Sequence, residues 1–366
     1  MNFKQTFKNK KVFVTGHTGF KGSWLVLWLE TLGATVKGYA LKPNTNPSLF
    51  ESLSKQLKCE SVLADIRNKE RLTKEVESFQ PDFIFHLAAQ PLVRESYEIP
   101  LETFEVNAIG TANLLNAVRD LKKACTVVVI TTDKVYHNNE WHHPYRESDR
   151  LGGYDPYSAS KAATEIVVDS FRSSFFNPND YSKHKKAIAT ARAGNVIGGG
   201  DFAKDRIVPD IFRALSKNEK IEVRNPNAVR PWQHVLDCLN GYLMLVDGLL
   251  DGTVSGGPWN FGPVSSSMRT VAEAASMAAE KWGHKATWVE ALGNHPHEAT
   301  ILSLDANKAR SALGWRDYLT FKESVAWTVE WAQSVQSGTS PLAAALEQIQ
   351  DFEVRRAVAV QAGVSA

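Results

Sequence analysis

The residues best suited to acid–base chemistry form a short run, Tyr157-Ser158-Ala159-Ser160-Lys161. On a helix, positions four apart share one face. A lysine charge beside a phenol draws the tyrosine pKa down from its reference of ~10. Tyr157 so placed can take a proton from a hydroxyl while hydride leaves the carbon that bears it. Tyr-x-x-x-Lys also arises by chance, so its meaning depends on what accompanies it. Near the start of the chain stands Thr15-Gly16-His17-Thr18-Gly19-Phe20-Lys21-Gly22, with glycines spaced G-x-x-G-x-x-G. The first glycine permits a tight turn. The second lets backbone approach a pyrophosphate, and the third lets helix and strand pack closely. A helix starting there adds N–H groups suited to an anion. Together the two motifs point to hydride transfer with a bound dinucleotide.

These groups need a scaffold. Lys11 to Thr15 reads as a buried strand that ends at the glycine loop, and Ser23 to Leu32 as the helix after it. Further strands are expected at Ala34–Leu41, Ser61–Ala64, Asp82–Ala88, Thr126–Thr132 and Lys186–Arg192. Helices are expected at Asn68–Ser78, Pro100–Leu121 and Asp155–Ser174. The run TVVVITT is almost wholly apolar, as a parallel strand covered on both faces should be. Strand and helix alternating in this way predict an α/β fold with a Rossmann-type doubly wound parallel sheet. The rhythm is lost after about Val196. We therefore expect a dinucleotide domain over 1–195, with returning segments at about 230–262 and 301–336. A smaller, discontinuous substrate-binding lobe is expected over about 196–229 and 263–300, with a strand at Lys220–Val223. The tail, 337–366, opens with a linker-like SGTSP and carries an amphipathic helix, Leu342–Arg356, docked or fraying.

Composition narrows the class. A net charge of +2 lacks the concentrated basic footprint of a nucleic-acid binder. The longest apolar stretches, such as Trp24 to Leu29, are far too short to span a bilayer. Cys59, Cys125 and Cys238 are odd in number and widely spaced, which suggests a reducing, cytoplasmic setting without disulfides. His142-His143 and His295/His297 have no convincing third ligand, so no metal site is expected. A dinucleotide site usually has an acid at the end of the second strand to hold the ribose hydroxyls. Here that stretch is Gly38-Tyr39-Ala40-Leu41-Lys42-Pro43, and Lys42 leaves NADP open on chemistry alone. Asp65 and Ile66, after the third strand, could flank the adenine; Asp65 could equally cap the next helix.

The glycine loop, Leu87-Ala88-Ala89-Gln90, Asn107 in VNAIGT and the Tyr157/Lys161 pair together resemble the extended short-chain dehydrogenase/reductase family, over about Lys11 to Trp315. The resemblance implies NAD(P) in a Rossmann domain, a nucleotide-sugar lobe, and a homodimer through a four-helix bundle. That bundle would use the helices after Pro100 and after Asp155. Family epimerases and simple reductases usually have a serine-rich segment where this chain has Thr131-Thr132-Asp133-Lys134. Sugar-nucleotide 4,6-dehydratases carry threonine, aspartate and glutamate there. The version with lysine last, together with GHTGFKG, resembles members that dehydrate a CDP-linked glucose with self-regenerated NAD.

By that resemblance Thr132 bonds the sugar's 4-oxygen, Asp133 is an acid and Lys134 a base. Burial and the nearby Lys161 would lower the pKa of Lys134. Asn195 and Arg230 would meet the diphosphate, Asp205 and Arg206 would flank the base, and Asn260 belongs to an Asn-x-Gly turn on the substrate side. The family also implies supply of dideoxyhexoses to a bacterial surface polysaccharide. Two other readings remain at this point. A 4-epimerase or reductase would not need Asp133 and Lys134, and a non-catalytic dinucleotide sensor would need neither Tyr157 nor Lys161.

Overall fold

The computed structural model describes residues 2–204, 206–283, 288–291 and 301–361. In chain order its strands are β1 Lys11–Thr15, β2 Thr35–Ala40, β3 Glu60–Leu63, β4 Phe83–His86, β5 Cys125–Ile130, β6 Lys186–Ala193, β7 Asn195–Ile197, β8 Ile221–Val223, β9 Val229–His234, β10 Gly257–Phe261, β11 Met268–Thr270 and β12 Trp288–Glu290. Seven of them form one sheet in the order β10-β6-β5-β4-β1-β2-β3. Every neighbouring pair in it is parallel. The chain reverses direction across the sheet between β1 and β4, and a crevice opens at the carboxyl ends of the strands at such a point.

Side-chain alternation explains why the central strands read as continuous apolar runs. In β1, Val12 and Val14 feed the core on one face of the sheet while Phe13 feeds the other. In β5, Val128 and Ile130 take the first face, and Val127 and Val129 the second. Each buried valine contributes about 1.5–3 kcal/mol, so both faces must be covered by helices. Phe20–Thr31, Val235–Leu250 and Phe321–Gln336 cover the first face through residues such as Trp24, Leu239 and Trp331. Lys69–Phe79, Gly110–Asp120 and Pro156–Ser174 cover the second through Leu72, Leu114 and Val168.

Two boundaries differ from the sequence reading. The predicted helix Pro100–Leu121 is interrupted by a π-turn at Glu105–Ile109, with Asn107 at its centre. Such turns favour functional positions because they redirect a side chain. Residues 230–262 do not all return to the large sheet. β9 lies in a three-stranded sheet with β7 and β11, because Trp232 packs in a separate core with Ile197, Val271 and Phe321. The return begins with Val235–Leu250 and ends in β10, at the edge beside β6.

The final helix, Pro341–Gln361, is docked. Ala345 and Phe352 are buried, the Phe352 ring meets Trp28 edge-on at 5.6 Å, and Trp28 Nε1 donates to Glu353 at 2.9 Å. Among the described residues no helix is long and apolar enough to cross a membrane.

His17, His86 and His234 are buried as neutral rings. His86 bridges the hydroxyls of Thr15 and Thr111, at 2.6 and 2.9 Å. His234 packs edge-on against Trp24 and Trp327. Burial pulls His86 and His234 down to about 3, from ~6.5 in an unfolded chain. Above ~6.5 neither state holds the extra proton and stability is complete. As pH falls below that, only the unfolded chain takes up the protons. Stability then falls by up to ~1.4 kcal/mol per pH unit per histidine, until the folded pKa is reached. Calorimetry at a series of pH values should show the unfolding midpoint dropping between about pH 6.5 and pH 5.5. A midpoint independent of pH across that window would contradict it.

Candidate active site

A cleft of about 500 Å³ runs across the carboxyl ends of β1, β2, β4, β5 and β6. Of the residues singled out from sequence, it is lined by Gly16, Thr18, Gly19, Phe20, Lys21, Gly22, Asp65, Ile66, Leu87, Ala88, Ala89, Thr132, Asp133, Lys134, Tyr157, Lys161, Asn195, Arg206 and Arg230. His17, Gln90, Asn107 and Asn260 do not line it, and Asp205 and His295–His297 lie outside the described residues.

The glycine end has the shape a dinucleotide phosphate requires. Gly16 has φ +73°, and a Cβ there would stand 2.7 Å from the backbone nitrogen of Ala88. A Cβ on Gly22 would stand 2.1 Å from the Gly16 carbonyl oxygen. No side chain caps the helix that begins at Phe20, so its first N–H groups remain available for an anion. Gly22→Ala is expected to weaken NAD binding at least about tenfold, measured by calorimetric titration; unchanged affinity would separate this turn from the cofactor.

Asp65 lines the cleft but is not a helix cap. Its carboxylate accepts from the Arg67 guanidinium at 2.7–3.1 Å, and Asn68 caps the following helix. Arg67 holds the Asp65 carboxyl below its ordinary range. His17 turns away from the loop. Its ring fills the space left by the missing side chain of Gly38, bonds Ser61 Oγ at 2.7 Å and meets Phe50 edge-on. A glycine inside β2 was the available signal, since it marks a close approach.

Asn107 braces the tyrosine helix from behind. Its Oδ1 accepts from Gln90 N at 2.9 Å, and its Nδ2 donates to Ser160 Oγ at 2.8 Å and to the Gln90 carbonyl at 3.2 Å. Ser160 Oγ in turn donates to the Tyr157 carbonyl at 2.7 Å. The Gln90 side chain is occupied by Thr103 and by the Leu92 backbone.

Asp155 caps the tyrosine helix, Pro156–Ser174, through the Ser158 N–H and hydroxyl. Tyr157 and Lys161 therefore project from its first turns into the cleft. The expected depression of the Tyr157 pKa is not present. Burial pushes the phenol up to about 12, against opposing pulls from Thr132 and Arg206. Lys161 itself is pulled down to about 7, first by burial and then by the charge of Lys21, and its Nζ donates to the Ile130 carbonyl at 3.1 Å. It is therefore only partly charged near neutral pH. Lys21 comes from the glycine loop and donates to Tyr242 Oη at 3.3 Å. The cation beside Lys161 is Lys21, whereas Lys134 is half-buried and faces Asp133.

Asp133 begins a short 3-10 turn, Asp133–Val135, directly after β5. It is 2 % exposed. Burial raises its carboxyl above the ordinary range, against the pulls of Lys134, the Thr132 hydroxyl and Arg230. Thr132 Oγ1 donates to Oδ1 at 2.9 Å, while Oδ2 has no hydrogen-bond partner within the protein. A Cβ on Gly194 would lie 3.2 Å from that oxygen. A carboxyl whose pKa burial raises and which keeps one oxygen unpaired is suited to exchanging a proton with something in the cleft.

On the opposite wall, Asn195 opens β7, Arg206 pairs with Asp201 at 3.1 Å, and Arg230 lies in β9. Glu222, Arg224 and Asn225 also line the cleft; their loop carries no motif that sequence reasoning could use. Asn260 is not a substrate-side group. It is fully buried, accepts from Tyr136 Oη at 2.7 Å, and donates to the Tyr145 and Asp305 carbonyls.

A Rossmann-type sheet with a glycine loop and a Tyr/Lys pair in one cleft is the arrangement of a short-chain dehydrogenase/reductase, and a buried carboxyl, Asp133, joins them here. The chain belongs to the GDP-mannose 4,6 dehydratase family, which matches residues 13–328. It is 47% identical to the CDP-glucose 4,6-dehydratase of Salmonella typhimurium over 350 residues, 95% of this chain and 98% of that one. Among solved structures, dTDP-glucose 4,6-dehydratase DesIV of Streptomyces venezuelae, with NAD bound, superposes with a TM-score of 0.75 at 23% identity, covering 91% of this chain and 99% of that one. UDP-glucose 4-epimerase of Thermotoga maritima superposes with a TM-score of 0.78 at 21% identity, covering 89% and 99%. The fold is thus common to enzymes of different reactions.

Proposed function

We propose that this chain is a hydro-lyase that converts CDP-D-glucose to CDP-4-keto-6-deoxy-D-glucose and water, with NAD as a regenerated cofactor. The observation that carries this reading is Asp133, a buried carboxyl with a raised pKa and an unpaired oxygen in the same cleft as Tyr157 and Lys161. An epimerase has no use for a second acid there, and a dinucleotide sensor has no use for any of the three. The 47% identical relative supports the same reaction and the same nucleotide.

Gly16, Gly19 and Gly22 would hold NAD at its pyrophosphate, and the bound cofactor would supply hydride acceptance from carbon 4 and hydride return to carbon 6. Tyr157 takes the proton of the 4-hydroxyl, and Thr132 hydrogen-bonds the 4-oxygen. The resulting ketone acidifies the proton at carbon 5. Lys134 is the base that removes that proton. Asp133 gives its proton to the 6-hydroxyl, which leaves as water, and a proton returned to carbon 5 completes the sugar. Arg230 and Asn195 hold the diphosphate, the arginine fork matching phosphate oxygens in pairs, and Arg206 flanks the base.

We assign the dinucleotide to the large sheet and the sugar nucleotide to a lobe built on β7, β8, β9, β11 and β12. We also propose a homodimer through a four-helix bundle. Leu101 and Ile109 on one side and Ile166 on the tyrosine helix support it, being 80%, 55% and 60% exposed. Three free cysteines accord with a reducing, cytoplasmic setting. The test is a panel of donors. Purified protein with NAD should release a product lighter by one water from CDP-glucose faster than from dTDP- or UDP-glucose. Loss of water from none of them would overturn the proposal.

A further inference from the structure

Beneath the cleft lies a buried ion pair that the mechanism above does not use. Arg192 and Glu165 have side chains only 3% and 4% exposed. They meet as a fork, Nε to Oε1 at 2.9 Å and Nη2 to Oε2 at 3.0 Å. The remaining acceptor capacity of the carboxylate is taken by Thr131 Oγ1 at 2.5 Å and Thr190 Oγ1 at 2.7 Å. Arg192 Nη1 donates to Tyr136 Oη at 2.7 Å and to the Glu147 carbonyl at 3.2 Å. Tyr136 Oη passes on to Asn260, and the Tyr136 ring stacks on Tyr145 at 5.0 Å.

The sequence position of these partners matters. Thr131 immediately precedes Thr132-Asp133-Lys134, and Tyr136 follows two residues after it. Both ends of the catalytic turn are therefore tied to one ion pair. Glu165 is also four residues beyond Lys161, one turn further along the helix that carries Tyr157. Arg192 lies in β6, two residues before Gly194, which backs Asp133. Oxidation at carbon 4 and elimination across carbons 5 and 6 use groups from two separate elements on one sugar. A fully paired buried network joining those elements has little freedom to rearrange.

We infer that Glu165 and Arg192 are positioning residues that hold the acid–base turn, Thr132–Lys134, in register with the Tyr157/Lys161 helix, so that elimination depends on them more than oxidation does. This rests on the dehydratase reading above. Neither residue touches the cleft, so substrate affinity does not depend on them directly. Displacing reacting groups by about an ångström can cost ~100-fold in rate.

The experiment compares wild type, Glu165→Gln and Arg192→Lys, all full length and loaded with NAD, on CDP-glucose. Glu165→Gln keeps the shape and one accepting oxygen but puts an amide donor where the other oxygen accepts from Arg192 and a threonine, and Arg192→Lys keeps the charge without the fork. Thermal unfolding and NAD content first establish the folded fraction. The expected result, per folded molecule, is a kcat about 10- to 100-fold lower, a KM within about twofold of wild type, and reduced nicotinamide absorbance that builds up in a single turnover. Build-up means that oxidation outruns elimination, which loss of folded protein cannot produce. Full activity per folded molecule, or equal slowing of oxidation and elimination without build-up, would overturn the inference. A wild type that removes no water from CDP-glucose would instead overturn the dehydratase reading.

Discussion

Tyr157→Phe is expected to lower kcat by about 10³-fold, within the range that a positioned proton acceptor contributes. The phenol is the group placed to take the 4-hydroxyl proton, and phenylalanine preserves its ring and packing. Tyr157 lies one turn before Lys161 and is braced through Ser160 and Asn107, so the helix should keep its position. Binding of NAD and CDP-glucose should therefore change little. Because burial pushes the phenol up to about 12, the folded protein alone does not supply a ready phenolate. The rate should accordingly rise with pH on the acid side of its profile. Stopped-flow absorbance of the reduced nicotinamide checks the first step directly. Hydride transfer in the variant at the wild-type rate would remove Tyr157 from the role proposed for it.

Asp133→Asn should give the opposite pattern. The amide occupies the same space beside Thr132 and Gly194 but cannot give up a proton to a leaving hydroxyl. Oxidation at carbon 4 should proceed while loss of water falls by about 10²- to 10⁴-fold. Reduced cofactor should then persist on the protein, and quenched reactions should contain a 4-keto sugar that retains its 6-hydroxyl. Measuring that sugar by mass spectrometry after rapid quench separates this outcome from a general loss of activity. Normal dehydration of CDP-glucose by the Asp133→Asn variant would mean that another group protonates the leaving hydroxyl. Since burial is what raises the Asp133 carboxyl, a variant that opens this wall to water should lower that pKa and leave less of the carboxyl protonated.

The large sheet was legible because its signals are local. Val127, Val128 and Val129 announce a strand covered on both sides, and the spacing of Gly16, Gly19 and Gly22 announces the turn at the end of β1. The same holds for Tyr157 and Lys161, whose relation is set by one helix. What the sequence obscured depends on contacts made far along the chain. The π-turn around Asn107 keeps a helical composition, so nothing in Pro100–Leu121 separates it from an unbroken helix. His17 sits in the glycine loop, yet its direction is decided by Gly38 and Ser61, which lie on neighbouring strands. Asn260 carries a turn motif but is consumed by Tyr136, Tyr145 and Asp305.

The charges were harder still. A lysine four residues from a tyrosine suggests a lowered phenol pKa. In the folded chain, burial acts more strongly than that charge, and Lys21 brings a second cation from a loop 140 residues away in sequence. The pairing of Glu165 with Arg192 was likewise invisible, because each residue alone reads as an ordinary charge on a helix or strand. Only their shared burial and their common hold on Thr131 and Tyr136 give them a place in the site.

The central claim is that one site moves a hydride from carbon 4 to carbon 6 of the same sugar while water departs. CDP-glucose carrying deuterium at carbon 4, incubated with the NAD-loaded protein in ordinary water, tests it most directly. The account predicts a 4-keto-6-deoxy product with the deuterium at carbon 6, solvent hydrogen at carbon 5 and no net reduced cofactor. Deuterium retained at carbon 4, or lost to free reduced cofactor with the 6-hydroxyl intact, would contradict it.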